Sequence, residues 1–201
     1  MRSTPLALAA SSLLLASTPA CQKAQYVDPK GNDLVVSVDK MNIQDWSQLA
    51  DQVVQDMVTS GVLARLPNQP AGILLNAPVN RTTQQFDTDA IMKKIRIALL
   101  QSGRCEVIMT AGPGGRAEDP IAKSAQDLKR FQSGADNEIN QDAIPDATLT
   151  AKLLEDRSRS GSTRQVAYTL QMSLTDTTRG RAIWEGEAMV VKQGQKSGVG
   201  F

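Results

Sequence analysis

Three runs in the last third of the chain alternate apolar with polar residues: Leu149, Ala151 and Leu153; Val166, Tyr168, Leu170, Met172 and Leu174; and Ala182, Trp184, Ala188 and Val190. A period of two puts every second side chain on one face, so these runs predict consecutive β-strands with a single buried face. The connections at 157–163 and 176–180 are short and rich in Ser, Thr, Gly and Asp, which makes the strands an antiparallel meander. A meander with one apolar face must cover that face with something else, and the rest of the chain supplies helices.

Ile43, Trp46, Leu49, Ala50, Val53, Val54, Met57 and Val58 recur at helical spacing and predict an amphipathic helix over 43–63. Asp87 can N-cap a second helix carrying Ile91, Ile95, Ala98 and Leu99 on one face, with Gly103 as its left-handed stop. Asp119-Pro120 opens a third through Ile121, Ala125 and Leu128. Strands are predicted at 34–38, at 72–76, and where Cys105, Val107 and Met109 alternate. The fold class that follows is α+β: a largely antiparallel sheet with helices packed on one face and the other face partly solvated. One domain over 34–191 and a flexible tail over 192–201 account for the chain length.

Ahead of that domain, Arg2 precedes an apolar run from Leu6 to Ala16 that is too short to span a bilayer, and Ser17-Thr18-Pro19-Ala20 leads into Cys21. This pattern predicts an export signal over 1–20, with Cys21 as an acylated N-terminus and 21–33 as a short tether. Soluble secretion after Ala20 is the alternative. With Cys21 acylated, Cys105 stands alone as a small core residue; without acylation, a Cys21–Cys105 disulfide is the rival. Twelve tether residues at 3.3–3.6 Å each reach about 40 Å at full extension.

The composition narrows the chemistry. The chain has no histidine, which removes Ser-His and Cys-His nucleophiles, His general bases and imidazole metal sites; no metal or cofactor is expected. The formal charge is +1 with 3% aromatic residues, so nucleic acid is not an expected partner. Ser37-Val38-Asp39-Lys40 and Lys196-Ser197-Gly198 match two penicillin-recognising boxes by spacing alone, one in a predicted strand and one in the tail, where neither serves catalysis. Residues 112–116 form a glycine-rich turn lacking the Lys-Ser/Thr of a phosphate loop. Glu185 and Glu187, and Asp87 and Asp89, read as polar outer positions rather than an acid–base pair. Arg157, Arg159 and Arg164 gather around one turn with Ser158, Ser160, Gly161 and Ser162, a flexible basic tip suited to docking an acidic partner.

Asn80-Arg81-Thr82 after a strand, the helix ending Ala98-Leu99-Leu100-Gln101-Ser102-Gly103-Arg104-Cys105, the run from Tyr168 to Asp176, and Gly180-Arg181-Ala182-Ile183-Trp184-Glu185-Gly186 occur in an order that resembles the LpoB family. The resemblance runs from about Val36 to Val190 and departs at 147–153, which lacks the aromatics of the family's strand. It implies a fold similar to the N-terminal domain of TolB and no enzyme activity. It also implies a monomeric lipoprotein on the periplasmic face of the outer membrane that activates a class A penicillin-binding protein. An envelope scaffold or secretion accessory of the same fold is the alternative. The matched positions take structural roles: Asn80 in a turn or left-handed geometry, Arg81 and Thr82 anchoring the following loop, and Trp184 with Gly186 on a core-facing strand beside Ala182.

Overall fold

Strands β4 (Ala147–Ser160), β5 (Thr163–Asp176) and β6 (Arg181–Gln195) form the predicted meander in a computed structural model that describes residues 26–29, 31, 36–85, 87–112, 116–134 and 144–195. The expected signal, Cys21, the turn centre at 113–115 and Lys196-Ser197 lie outside the described residues. Along β5, Val166, Tyr168, Leu170, Met172 and Leu174 are all buried, as the alternation requires.

The sheet is more mixed than expected. Its order is β3-β1-β4-β5-β6, and β1 (Ala71–Leu75) runs parallel to both β4 and β3 (Cys105–Val107). A short strand β2 (Val79–Arg81) continues along the same edge of β4, also in parallel. Pro78, which has no N–H for the ladder, separates β1 from β2. Parallel neighbours need crossovers, and helix α2 (Thr88–Gln101) provides the one between β2 and β3. The carboxylate of Asp146 pins β1 beside the start of β4 by accepting the Gly72 N–H and the Asn68 amide, both at 2.7 Å.

Helix α1 (Ile43–Thr59) packs over β5 and β6 and against α2, so Leu49, Ala50, Val53, Val54 and Met57 close the core with Ile91, Ile95 and Leu99. It ends at Thr59 rather than 63: Gly61 takes φ 70° and Leu63–Arg65 make a separate 3-10 turn. Asp87 and Asp119 cap α2 and α3 (Pro120–Ser133) as predicted, and Gly103, at φ 64°, stops the turn after α2. Helix α3 departs from the expected layer, since none of its residues is buried.

Four local expectations change. The strand predicted at 34–38 is absent from its described part: Val36 to Val38 are irregular and lead to the turn before α1. Met109 lies beyond β3, which ends at Val107. Lys192 to Gln195, predicted as tail, are instead the end of β6 with Lys192 buried, and 196–201 lie outside the described residues. A bulge between the Leu174–Trp184 and Thr175–Ala182 pairs leaves Ile183 extra, so Ala182 faces solvent while Trp184 faces the helices.

Cys105 is a free, buried thiol whose Sγ lies 3.8 Å from the Leu99 carbonyl. Burial pushes this thiol up to about 11, which fits a packing role.

Candidate functional site

Asn80 sits in β2, and its side chain folds the chain that follows. Asn80 Oδ1 accepts the Thr82 N–H at 2.9 Å and the Thr82 hydroxyl at 2.8 Å, while Asn80 Nδ2 donates to the Gln84 carbonyl at 2.8 Å. This local bonding is made without left-handed geometry, since among the described residues only glycines have positive φ. Thr82 Oγ1 also receives the Gln84 N–H at 3.2 Å. Arg81 is exposed at the end of β2.

The loop built in this way delivers Thr83 and Gln84 to the hairpin. Glu155 Oε2 accepts the Thr83 N–H at 2.7 Å, and the Thr83 hydroxyl donates to the same carboxylate oxygen at 2.9 Å. Arg157 ion-pairs with Glu155 through Nε and donates from Nη2 to Thr83 Oγ1 at 2.8 Å. Gln84 Nε2 bonds the Tyr168 hydroxyl at 2.5 Å, and Gln84 Oε1 accepts the Met41 N–H at 3.1 Å. Two groups far apart in sequence, the Asn80 motif and the arginines, therefore form one network.

The arginines do not sit on a flexible tip. β4 and β5 stay paired to Ser160–Thr163, leaving Gly161 and Ser162 as the turn, with Gly161 at φ 59°. Arg157, Arg159 and Arg164 continue the face that carries Leu149 and Leu153, at a point where α1 no longer covers it. Asp39 accepts Arg164 Nη2 at 3.1 Å and lies 3.8 Å from Arg157 Nη1. Among the described residues, Arg159 is engaged by its own turn, donating to the Gly161 carbonyl at 3.1 Å. Arg157, Arg159 and Arg164 line a shallow cavity of about 430 Å³ with Ser158, Gln165 and Val166.

Electrostatics follow from this packing. Burial pushes the Glu155 carboxyl up, but the Thr83 N–H, the Arg157 guanidinium and the Thr83 hydroxyl outweigh it and hold the group below its ordinary 4.5. Burial also raises the Tyr168 phenol, with the Glu155 charge adding to the effect. Because the folded value of Glu155 is depressed, its contribution is complete above the unfolded value and is lost as pH falls through the folded one. Amide exchange at Thr83 is expected to accelerate on acidification below pH 4.5 in the wild type, and to be fast and insensitive to pH across that range, beyond intrinsic exchange, in Glu155→Gln. An unchanged protection factor across the acid range would disprove the coupling.

Trp184 and Gly186 lie elsewhere, opposite Leu174 and Met172 on the helix-covered face. The half-buried Trp184 ring lies over Gly186, where any Cβ would meet it. Gly103 ends α2, so these three positions are separate from the arginine network. Among the described residues, no group of His, Cys, Asp and Glu is arranged to hold a metal ion. Ser37 does not stand at a helix start; its carbonyl accepts Lys192 Nζ at 3.2 Å.

Sequence reasoning missed Asp39, Thr83, Gln84 and Glu155. One signal was available: after Leu153 the inward positions become Glu155, Arg157 and Arg159, which marks where the helical cover ends.

The fold and the network together define a mixed α+β domain that offers a polar, arginine-lined face. The chain belongs to the family of the peptidoglycan-synthase activator LpoB, which matches residues 45–190. Comparison with curated sequences finds no match. Among solved structures, the chain is similar to the LpoB C-terminal domain from Salmonella enterica, at 17% identity over 73% of this chain and 98% of that one, with a TM-score of 0.44. The solution structure of LpoB from Escherichia coli shares 18% identity over 96% and 86% of the two chains, with a TM-score of 0.41. The lipoprotein GNA1162 from Neisseria meningitidis shares 20% over 65% and 90%, with a TM-score of 0.38.

Proposed function

We propose that this protein is a non-enzymatic envelope lipoprotein, held to the outer membrane by acyl chains on Cys21, that binds a class A bifunctional peptidoglycan synthase and raises its activity. The observation that carries this reading is the family match over 45–190, which takes in most of α1, strands β1 to β5, and Arg157, Arg159 and Arg164. Activation by a partner without chemistry of its own works through differential binding: contacts made better with the active conformation shift the synthase toward it.

The arginine face is the proposed contact. Arg157 and Arg164 are committed to Glu155, Thr83 and Asp39, so they shape the surface. Arg159 has a guanidinium available to an acidic group on the partner, since one carbonyl occupies only one of its donors. Arg159→Ala is expected to leave the melting temperature within a degree of wild type and to weaken synthase capture about five- to thirty-fold, as losing one or two kcal/mol would. Capture is measured with detergent-extracted synthase, together with its glycan polymerisation rate. Full capture and stimulation by Arg159→Ala would move the contact off this face. Absence of any synthase partner for the wild type would leave the envelope-scaffold reading.

Lys192 grips the Ser37 and Lys40 carbonyls, which fastens the segment before α1 to the end of β6.

A further inference from the structure

Helix α3 is built inside out. At 3.6 residues per turn, Ala122, Gln126 and Arg130 share one face and are half-buried, whereas Ile121, Ala125, Leu128 and Phe131 occupy the opposite, exposed one. Ile121 is 81% exposed, Leu128 57% and Phe131 69%. A surface helix ordinarily turns such a stripe toward the core. Here the start of the helix is fastened to the domain by the Asp119 N–H on the Met109 carbonyl at 2.9 Å and by the Arg96–Glu118 ion pair, and the stripe still points outward. A patch of this kind marks a surface that something covers.

Area and charge select the occupant. Three large side chains on one 14-residue helix offer far less than the roughly 800 Å² a side of a stable protein interface. They suit a supplementary contact to a body already close by. The helix carries Lys123, Lys129 and Arg130 against Asp127, a net of +2, with Lys123 and Asp127 paired at 2.9 Å. Exposed Lys129 flanks the stripe, and an apolar stripe of Ile, Leu and Phe on a helix of net positive charge is the pattern of a helix lying among anionic lipid headgroups. We propose that α3 rests on an anionic lipid surface, inserting Ile121, Leu128 and Phe131 as a second attachment beside the acyl chains of Cys21. The proposal rests on the lipoprotein reading for its strength in the cell: within the expected tether of about 40 Å the effective lipid concentration is high enough for a weak contact to persist. Insertion of α3 would hold the domain in one orientation on the bilayer.

The test separates the two attachments. Residues 22–201, which lack acyl chains and keep every described residue, are sedimented with phosphatidylethanolamine–phosphatidylglycerol vesicles. The bound fraction is expected to fall at least tenfold in Leu128→Asp/Phe131→Asp, and to fall when phosphatidylglycerol is omitted or salt is raised. The melting temperature should not change, because no α3 residue is buried. Phe131→Trp should shift its emission to shorter wavelength on adding vesicles. Equal binding by both forms, or no shift at saturating lipid, overturns the proposal. Loss of self-association or of synthase capture in the double variant, with vesicle binding intact, assigns the stripe to a protein and overturns it too. Fatty-acid labelling of Cys21 in the whole chain is read independently: a negative label removes the tether without altering what the vesicles report about α3.

Discussion

Lys192→Ala is expected to cost about 3–5 kcal/mol of folding stability, because it strands a carboxylate in the core. The Lys192 ammonium is buried on β6 and uses its three donors fully: an ion pair with Asp45, the Ser37 carbonyl at 3.2 Å and the Lys40 carbonyl at 2.8 Å. Asp45 is equally enclosed and is also the third residue of α1, where it closes a capping box by accepting the Asn42 N–H at 2.7 Å while Asn42 Oδ1 accepts its own N–H at 2.9 Å. One side chain therefore fixes the 37–40 segment, the start of α1 and the sheet edge together. Removing only the cation leaves Asp45 charged and dry, whereas Lys192→Met with Asp45→Asn removes both charges and retains an acceptor for the Asn42 N–H. That double variant should recover at least half of the loss. Urea denaturation of the three proteins decides the matter, and a single variant within 1 kcal/mol of wild type would mean that water reaches the pair.

Lys192 also shows where the sequence is a poor guide. The meander, the inward faces of β4 and β5, both aspartate caps and the glycine stop after α2 were readable because each depends on neighbours in the chain: alternation, a capping side chain, a positive φ. A lysine in a Gly- and Lys-containing terminus looks like solvent-exposed tail, and only a partner 147 positions upstream makes it a core residue. The short parallel strands were partly hidden for a similar reason. β2 has three residues with an exposed, intermediate and exposed pattern, so no alternation reports it, and its pairing is set by the edge of β4. The arginines were found by type but misplaced in structure, since a Ser/Gly/Arg-rich segment reads as a loop whereas the ladder carries it to the last pair. Tight-turn chemistry at Gly161-Ser162 was the discriminating signal. Helix α3 was legible as a helix, yet its amphipathy indicated a buried stripe that the fold turns outward.

Trp184 and Gly186 carry the other large effect, and they should fail as a unit. Trp184 faces the helix layer opposite Leu174, but on the edge strand, so it is half-buried and packs against the core from its rim. Trp184→Ala is expected to cost about 3 kcal/mol, the lower end of the range for aromatic truncation, because part of the ring is already in water. The ring reaches along the strand to the place a Cβ at Gly186 would occupy: such an atom would collide with Cζ2, lie 2.7 Å from Cη2 and stand 3.1 Å from Asp56 Oδ2 on α1. Gly186→Ala must therefore lift the ring or push α1, for about 1–3 kcal/mol. The two costs share one cause. Once Trp184 is Ala, the methyl at 186 meets open space on the strand side and only the adjustable Asp56 carboxylate on the other. The double variant should therefore be at least 1 kcal/mol more stable than the sum of the single losses predicts. Denaturation curves of the four proteins give the coupling directly. Strict additivity would mean that the ring does not lie over Gly186 in solution, and that the glycine is kept for the approach of α1 alone.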